Sequence, residues 1–267
     1  MVSRGSRFVR SSGRVRRHRD WDTLADAPGE GAGGTIVPDR LVLFDIDATL
    51  VTTSRAGIRS LQDAGRELYA REFTIDGVEF AGRLDPLIID DLLAANGIGV
   101  TERSRAELRE AYGRHLERRL KESGTASALA GVHGLIALLT SEGAVTLGLL
   151  TGNFPETGRM KLSACGIEAD GFAVRVWGCD SPHDPPARVD LPLVAMERFE
   201  RMYARSIAAQ DVTIVGDTPH DVACAKAHGC RCLAVATGMF DAGELAGADH
   251  VVEDLSCTAE ISAWLRG

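Results

Sequence analysis

Leu41-Val42-Leu43-Phe44-Asp45-Ile46-Asp47-Ala48-Thr49-Leu50-Val51-Thr52 runs from four consecutive apolar residues straight into two carboxylates and a hydroxyl. An apolar run of that length suits a strand covered on both faces, as in a parallel sheet flanked by helices. Ligands of such sheets bind beyond the carboxyl ends of the strands, where Asp45, Asp47 and Thr49 fall. The period of two along an extended chain sends Asp45 and Asp47 the same way, as two carboxylates converging on one point. Such a pair repels itself unless a cation or a shared proton intervenes. Taken alone, the stretch reads equally well as an Asx-rich turn closing a strand.

The rest of the chain decides between these readings. Ala144 to Leu150 reads as a second strand and ends in Thr151-Gly152-Asn153, and Val212 to Val215 ends in Gly216-Asp217-Thr218, with Asp221 one helical turn later. Helical patterns separate these runs: His133 to Ser141, a helix opened by Pro155 and finished at Gly166, Val189 to Ala204, and Pro219 to His228. Phe172 to Trp177, Cys232 to Ala236 and His250 to Val252 read as further strands. Alternation of this kind specifies βαβ units and a mostly parallel sheet, an α/β, Rossmann-like layer with helices on both faces. Parallel strands put all their carboxyl ends on one edge. Carboxylates, a hydroxyl and a glycine turn gathered there are what phosphoryl transfer with Mg2+ requires: hard oxygen ligands, donors for phosphoryl oxygens and an in-line nucleophile.

Residues 56–127 break the alternation. They read as three helices, Ala56 to Arg71, one opened by Asp85-Pro86 and ended by Asn96-Gly97, and Thr101 to Lys121. The organisation expected is therefore an Arg/Gly-rich disordered extension over 1–35, an α/β core over 36–55 and 128–267, and a small helical cap over 56–127. Residues 1–20 carry seven arginines against Asp20 alone, so the remainder is more acidic than the net charge of −8. An acidic body with 5% aromatic residues disfavours nucleic acid as a partner. Gly29 to Gly34 spells G-x-G-x-x-G, but it precedes the first strand instead of following one, which makes it a linker and not a dinucleotide fingerprint. No apolar run reaches the roughly 20 residues needed to cross a bilayer. Six cysteines without paired spacing and no signal peptide lead us to expect a cytoplasmic protein with free thiols. The oligomeric state is not encoded in any of these patterns.

The stretches D-I-D-A-T, T-G-N and V-G-D-T-P-H-D resemble motifs I, II and IV of the haloacid dehalogenase superfamily, in their usual order, with a helical insert in the place of that superfamily's C1 cap. The resemblance is to phosphoglycolate-phosphatase-like members. It implies a magnesium-dependent phosphatase acting on a small phosphate monoester through an aspartyl-phosphate, or else a phosphomutase, a phosphonatase or a non-catalytic phosphate-binding protein on the same core. By that resemblance Asp45 is the nucleophile and Asp47 the general acid and base. Thr151, Gly152 and Asn153 hold phosphoryl oxygens, and Asp45, Asp47 (through its carbonyl), Asp217 and Asp221 hold the metal. Asp221 alternatively only braces its loop. A lysine is also implied. Of the chain's three lysines, Lys161 follows the T-G-N turn, Lys121 falls in the insert and Lys226 lies beyond the acidic turn. Lys161 is therefore expected to neutralise both phosphate and nucleophile. Arg83 and Asp85 are candidates to face the ester, with Asp85 read foremost as a helix cap, and Arg188 as an anion contact or a surface charge. Ala48 occupies a position usually held by glycine, where a positive φ is required.

Overall fold

The computed structural model describes residues 38–122 and 124–267; the extension and its glycine-rich linker lie outside them. Strand β1, Arg40–Phe44, sits at the centre. The chain continues through β2 (Val51–Thr52), α1 (Ala56–Tyr69), α2 (Asp85–Ala95), α3 (Glu102–Leu120) and β3 (Ser127–Ala128). It then alternates as α4 (Val132–Glu142), β4 (Val145–Leu150), α5 (Pro155–Ala164), β5 (Val174–Val176), α6 (Leu191–Tyr203), β6 (Val212–Gly216), α7 (Pro219–His228), β7 (Arg231–Val235), β8 (His250–Val252) and α8 (Thr258–Arg266).

Six of the strands form one sheet in the order β5-β4-β1-β6-β7-β8, every neighbouring pair parallel. β1 sends alternate side chains to opposite faces, as the pleat requires. Val42 and Phe44 join an apolar cluster with Val132, Leu135, Leu162, Ile261 and Leu265, from α4, α5 and α8. Leu41 and Leu43 join another with Leu191, Phe199, Val222 and Ala225, from α6 and α7. Both faces of the sheet are thus covered, which is why its strands read as unbroken apolar runs. All four apolar residues of β1 are fully buried, so the start of the acidic stretch is fixed by packing on both sides.

The helical excursion leaves and returns through a two-stranded antiparallel ladder, with Val51 opposite Ala128 and Thr52 opposite Ser127. Leu129 extends the pairing by donating its N–H to the Leu50 carbonyl at 3.0 Å. No strand was expected within 56–127. A two-residue ladder buries too little to leave any periodicity in the sequence. Helices α1, α2 and α3 share a third apolar cluster, built on Leu61, Phe73, Leu92, Leu93, Leu108 and Leu116. Phe154, from the loop before α5, inserts into it.

The sequence reading makes Asp85 the cap of its own helix. The cap position belongs instead to Leu84, in extended backbone, with no side-chain cap bond. The Asp85 carboxylate reaches across to the next layer, where Oδ2 accepts the Phe154 N–H at 2.9 Å and the Thr157 hydroxyl at 3.3 Å. It therefore caps α5, whose unpaired N-terminal amides attract negative charge. The Asp85 backbone N–H also donates to the Gly152 carbonyl at 2.7 Å.

Candidate active site

Three adjacent strands, β4, β1 and β6, end side by side and deliver Thr151, Asp45 and Asp217 to one edge. Asp45 continues the strand by one residue, its N–H bonded to the Val215 carbonyl at 2.9 Å. The chain then turns. Leu50 and Val51 both direct their N–H groups to the Ile46 carbonyl at 3.0 Å, and Ala48 takes a left-handed conformation with φ 56°. The positive φ expected at this position is present, held by an alanine. The Ala48 carbonyl is fixed in turn by the Thr237 hydroxyl.

Extended geometry stops at the turn, and the two acids take different partners within the same cavity. Asp45 is buried and faces Asp217 and Asp221; one carboxylate oxygen from each of the three lies within 4.8 Å of the others. Asp47 is partly exposed, and its charge is felt at both Asp45 and Asp217. Its Oδ2 accepts from Lys161 Nζ at 2.6 Å and from Asn153 Nδ2 at 2.8 Å. Both still line a single cavity of about 360 Å3.

Each acid has its own cation. Lys161, on α5, is buried; its ammonium is shared between Asp47 and the Asn153 Oδ1, both at 2.6 Å. It was expected to neutralise the Asp45 carboxylate, but among the described residues that place is held by Arg188. The Arg188 Nη2 lies 3.1 Å from Asp45 Oδ2 and 2.6 Å from Asp221 Oδ1. Arg188 is buried on a short helical turn that leads into α6, and the α6 side chains Leu191, Ala195 and Phe199, packed on the sheet, hold it in place. An isolated arginine in an irregular loop carries no pattern. The one usable signal was its place after β5, at the carboxyl edge of the sheet.

Burial dominates the electrostatics. It pushes Asp45 up to about 6 despite the opposing Arg188 guanidinium. It pushes Asp217 further, to about 8, with the charges of Asp45 and Asp221 adding to the effect. Burial alone would lower the Lys161 ammonium, but Asp47, Tyr112 and Asp85 together outweigh it and the group is raised. Arg188 is raised in the same manner by Asp221 and Asp45. A buried carboxylate group that resists ionisation is one that a divalent cation would stabilise.

Asp221 is committed elsewhere. Its Oδ2 accepts the Thr218 N–H at 3.1 Å and the Thr218 hydroxyl at 2.7 Å, closing a capping box on α7, while its Oδ1 takes Arg188. Asp217 keeps one partner, the Thr49 hydroxyl at 3.1 Å. Thr151 is fully buried, and its hydroxyl accepts from Asn153 Nδ2 at 2.8 Å. Gly152 is required by close approach: a Cβ there would lie 2.1 Å from the Arg83 carbonyl oxygen and 3.2 Å from Arg188 Nη1. Arg83 lines the cavity, but its guanidinium is paired with Asp91. Of the residues singled out in the sequence, Asp45, Asp47, Thr151, Gly152, Asn153, Lys161, Arg83 and Asp217 all line this one cavity. Asp221 lies behind it.

Comparison with known structures gives the same architecture. A hydrolase from Pseudomonas syringae superposes with a TM-score of 0.63 at 21% identity, covering 83% of this chain and 96% of that one. CbbY from Rhodobacter sphaeroides, in complex with phosphate, gives 0.65 at 18%, covering 81% and 95%. A predicted phosphoglycolate phosphatase from Haemophilus somnus gives 0.62 at 17%, covering 86% and 100%. The search of curated proteins finds no match. The family comparison is decided on the strand ends themselves: residues 42–235, from within β1 to the end of β7, match the haloacid dehalogenase-like hydrolase family, and the chain belongs to it.

Proposed function

We propose that this hydrolase is a phosphatase that cleaves a small phosphate monoester through an aspartyl-phosphate on Asp45. The observation that carries the reading is the division of labour between two acids two residues apart. Asp45 is buried beside Arg188 and Asp217, whereas Asp47 is partly exposed beside Lys161. A nucleophile needs the first environment, and a residue that exchanges protons with a leaving group and with water needs the second.

In this mechanism an Asp45 carboxylate oxygen attacks phosphorus and the ester oxygen departs on the opposite side, taking a proton from Asp47. Water then attacks the phosphoryl group, giving its proton to Asp47 and releasing Asp45 as a carboxylate. Thr151, the backbone amides at Gly152 and Asn153, and Arg188 hold the phosphoryl oxygens. The buried Nε of Arg188 has no partner among the described residues, which leaves a donor for that purpose. Lys161 keeps Asp47 and Asn153 in position.

The donor set fits a divalent cation such as Mg2+: clustered buried carboxylates, with Asp217 ionising only at high pH in the absence of a positive charge. Asp45, Asp217 and the Asp47 carbonyl would hold it, and Asp221 would brace the loop, since both its oxygens are engaged. When bound, the ion offsets the negative charge of phosphate against carboxylate. The helices over 56–127 act as a lid that supplies the ester-facing wall of the cavity.

Purified protein should release p-nitrophenol from p-nitrophenyl phosphate in the presence of Mg2+. Asp45→Asn should reduce turnover at least 1,000-fold, on the order of the loss seen when a covalent nucleophile is removed. Turnover retained in that variant would overturn the mechanism.

A further inference from the structure

The wall that the helical segment presents to the cavity is chemically simple. Ile58 and Leu61 of α1, Phe80 of the α1–α2 connection and Ile88 of α2 supply hydrocarbon. Ile58 is half-buried, lines the cavity and belongs to none of the three apolar clusters of the protein. On the opposite rim Met239 is 76% exposed, the highest value among the exposed large apolar residues described, and it too is outside every cluster.

The polar groups on the same wall are mostly spent. Asp85 is engaged by Phe154 and Thr157, and Arg83 by Asp91. The Tyr112 hydroxyl is the remaining neutral polar group from the helices. A polyhydroxylated body seated here would bury most of its hydroxyls against hydrocarbon, with only the Thr52, Thr53 and Tyr112 hydroxyls near this wall, and each group left unpaired is costly.

Arg55 is the exception among the cations. Of the four that line the cavity, Lys161, Arg188 and Arg83 each sit on a carboxylate. The exposed guanidinium of Arg55 has no hydrogen bond or ion pair among the described residues. Ser54 and Arg55 are both held in left-handed backbone, at φ 49° and 63°, a conformation that L-residues adopt rarely. Arg55 lines the cavity, and strained backbone of this kind clusters at ligand sites.

We propose that the ester has an apolar body, packed against Ile58, Phe80 and Met239, and a second negative charge at the end remote from the phosphoryl group, paired with Arg55. This assignment rests on the phosphatase reading and narrows it to a substrate class: phosphate monoesters of an apolar alcohol or phenol that also carries an acid group.

The test compares phenyl phosphate, 4-carboxyphenyl phosphate and glucose 6-phosphate. Wild type should rank them in kcat/KM as carboxyphenyl above phenyl above glucose ester. Arg55→Gln, which keeps the same backbone demand, should shrink the ratio between the carboxyphenyl and phenyl esters roughly fivefold. Ile58→Asn should lower kcat/KM for both aryl esters roughly tenfold. A glucose ester that matches or exceeds phenyl phosphate, or a carboxyphenyl-to-phenyl ratio unmoved by Arg55→Gln, overturns the proposal. Calorimetric binding of the same three esters to Asp45→Asn separates the two readings. If wild type hydrolyses none of them the phosphatase reading fails, while the order of binding still decides the substrate class.

Discussion

Ala48 and Arg188 show what single residues contribute to this site. Ala48 makes the turn after Asp45 with φ 56°, where glycine would pay no steric cost. Ala48→Gly relieves roughly 1–2 kcal/mol of left-handed strain and loses part of that to the greater freedom of the unfolded chain. We expect a net gain of about 0.5–1 kcal/mol in urea unfolding; a loss of stability would show that the alanine methyl makes a contact that outweighs the strain. Arg188 sits on Asp45 and Asp221 at once. Arg188→Ala should lower kcat for p-nitrophenyl phosphate by about 100- to 1,000-fold, the range found when one preorganised donor is removed. A loss below tenfold would place the cationic role with Lys161, as the sequence alone suggests. Asp45, Asp47, Thr151 and Asp217 were legible because each follows an apolar strand at a fixed offset. For Arg188 the sequence leaves an anion contact and a surface charge both open, since its position is set by how α6 docks on the sheet, which no local pattern encodes.

At the level of elements, the contact between α2 and the start of α5 ties the helical excursion to the strand ends. Asp85 caps α5 and bonds the Gly152 carbonyl, and Arg109 of α3 grips Glu156 of α5 through two bonds of 2.6 and 2.8 Å. Asp85-Pro86 reads locally as a helix start, and the helix does start there; what the local pattern lacks is the direction of the carboxylate. Burial raises Asp85 from 3.8 to about 6, with Lys161 opposing. Between these values the folded protein retains a proton that the unfolded chain has released, so stability falls as pH rises through this window and is level above it. The loss is about 3 kcal/mol, from two pK units. Asp85→Asn, which retains an acceptor for Phe154, should therefore gain on wild type between pH 4 and pH 7 in urea unfolding. An identical difference at both pH values would mean that Asp85 is not protonated in the folded protein at pH 4.

For the whole molecule, the parallel sheet and its two helical layers were readable from unbroken apolar runs alternating with helical patterns. Those runs exist because both faces of the sheet are covered. The β2–β3 ladder escaped, being too short for any period, as did α8, whose Ile261 and Leu265 complete one face from the far end of the chain. The same architecture sets the site: three neighbouring strand ends carry two buried acids and a hydroxyl, and the turn after Asp45 adds a further, partly exposed acid to the same cavity. The central claim is that phosphate passes through Asp45 while Asp47 manages protons. It is tested most directly in Asp47→Asn, mixed with Mg2+ and p-nitrophenyl phosphate, quenched in acid and digested for peptide mass spectrometry. The account predicts a rapid burst of p-nitrophenol approaching one per chain, with a phosphoryl group on the peptide containing Asp45. A phosphoryl group on any other residue, or turnover of wild type by direct attack of water with no phosphorylated enzyme in the variant, would contradict it.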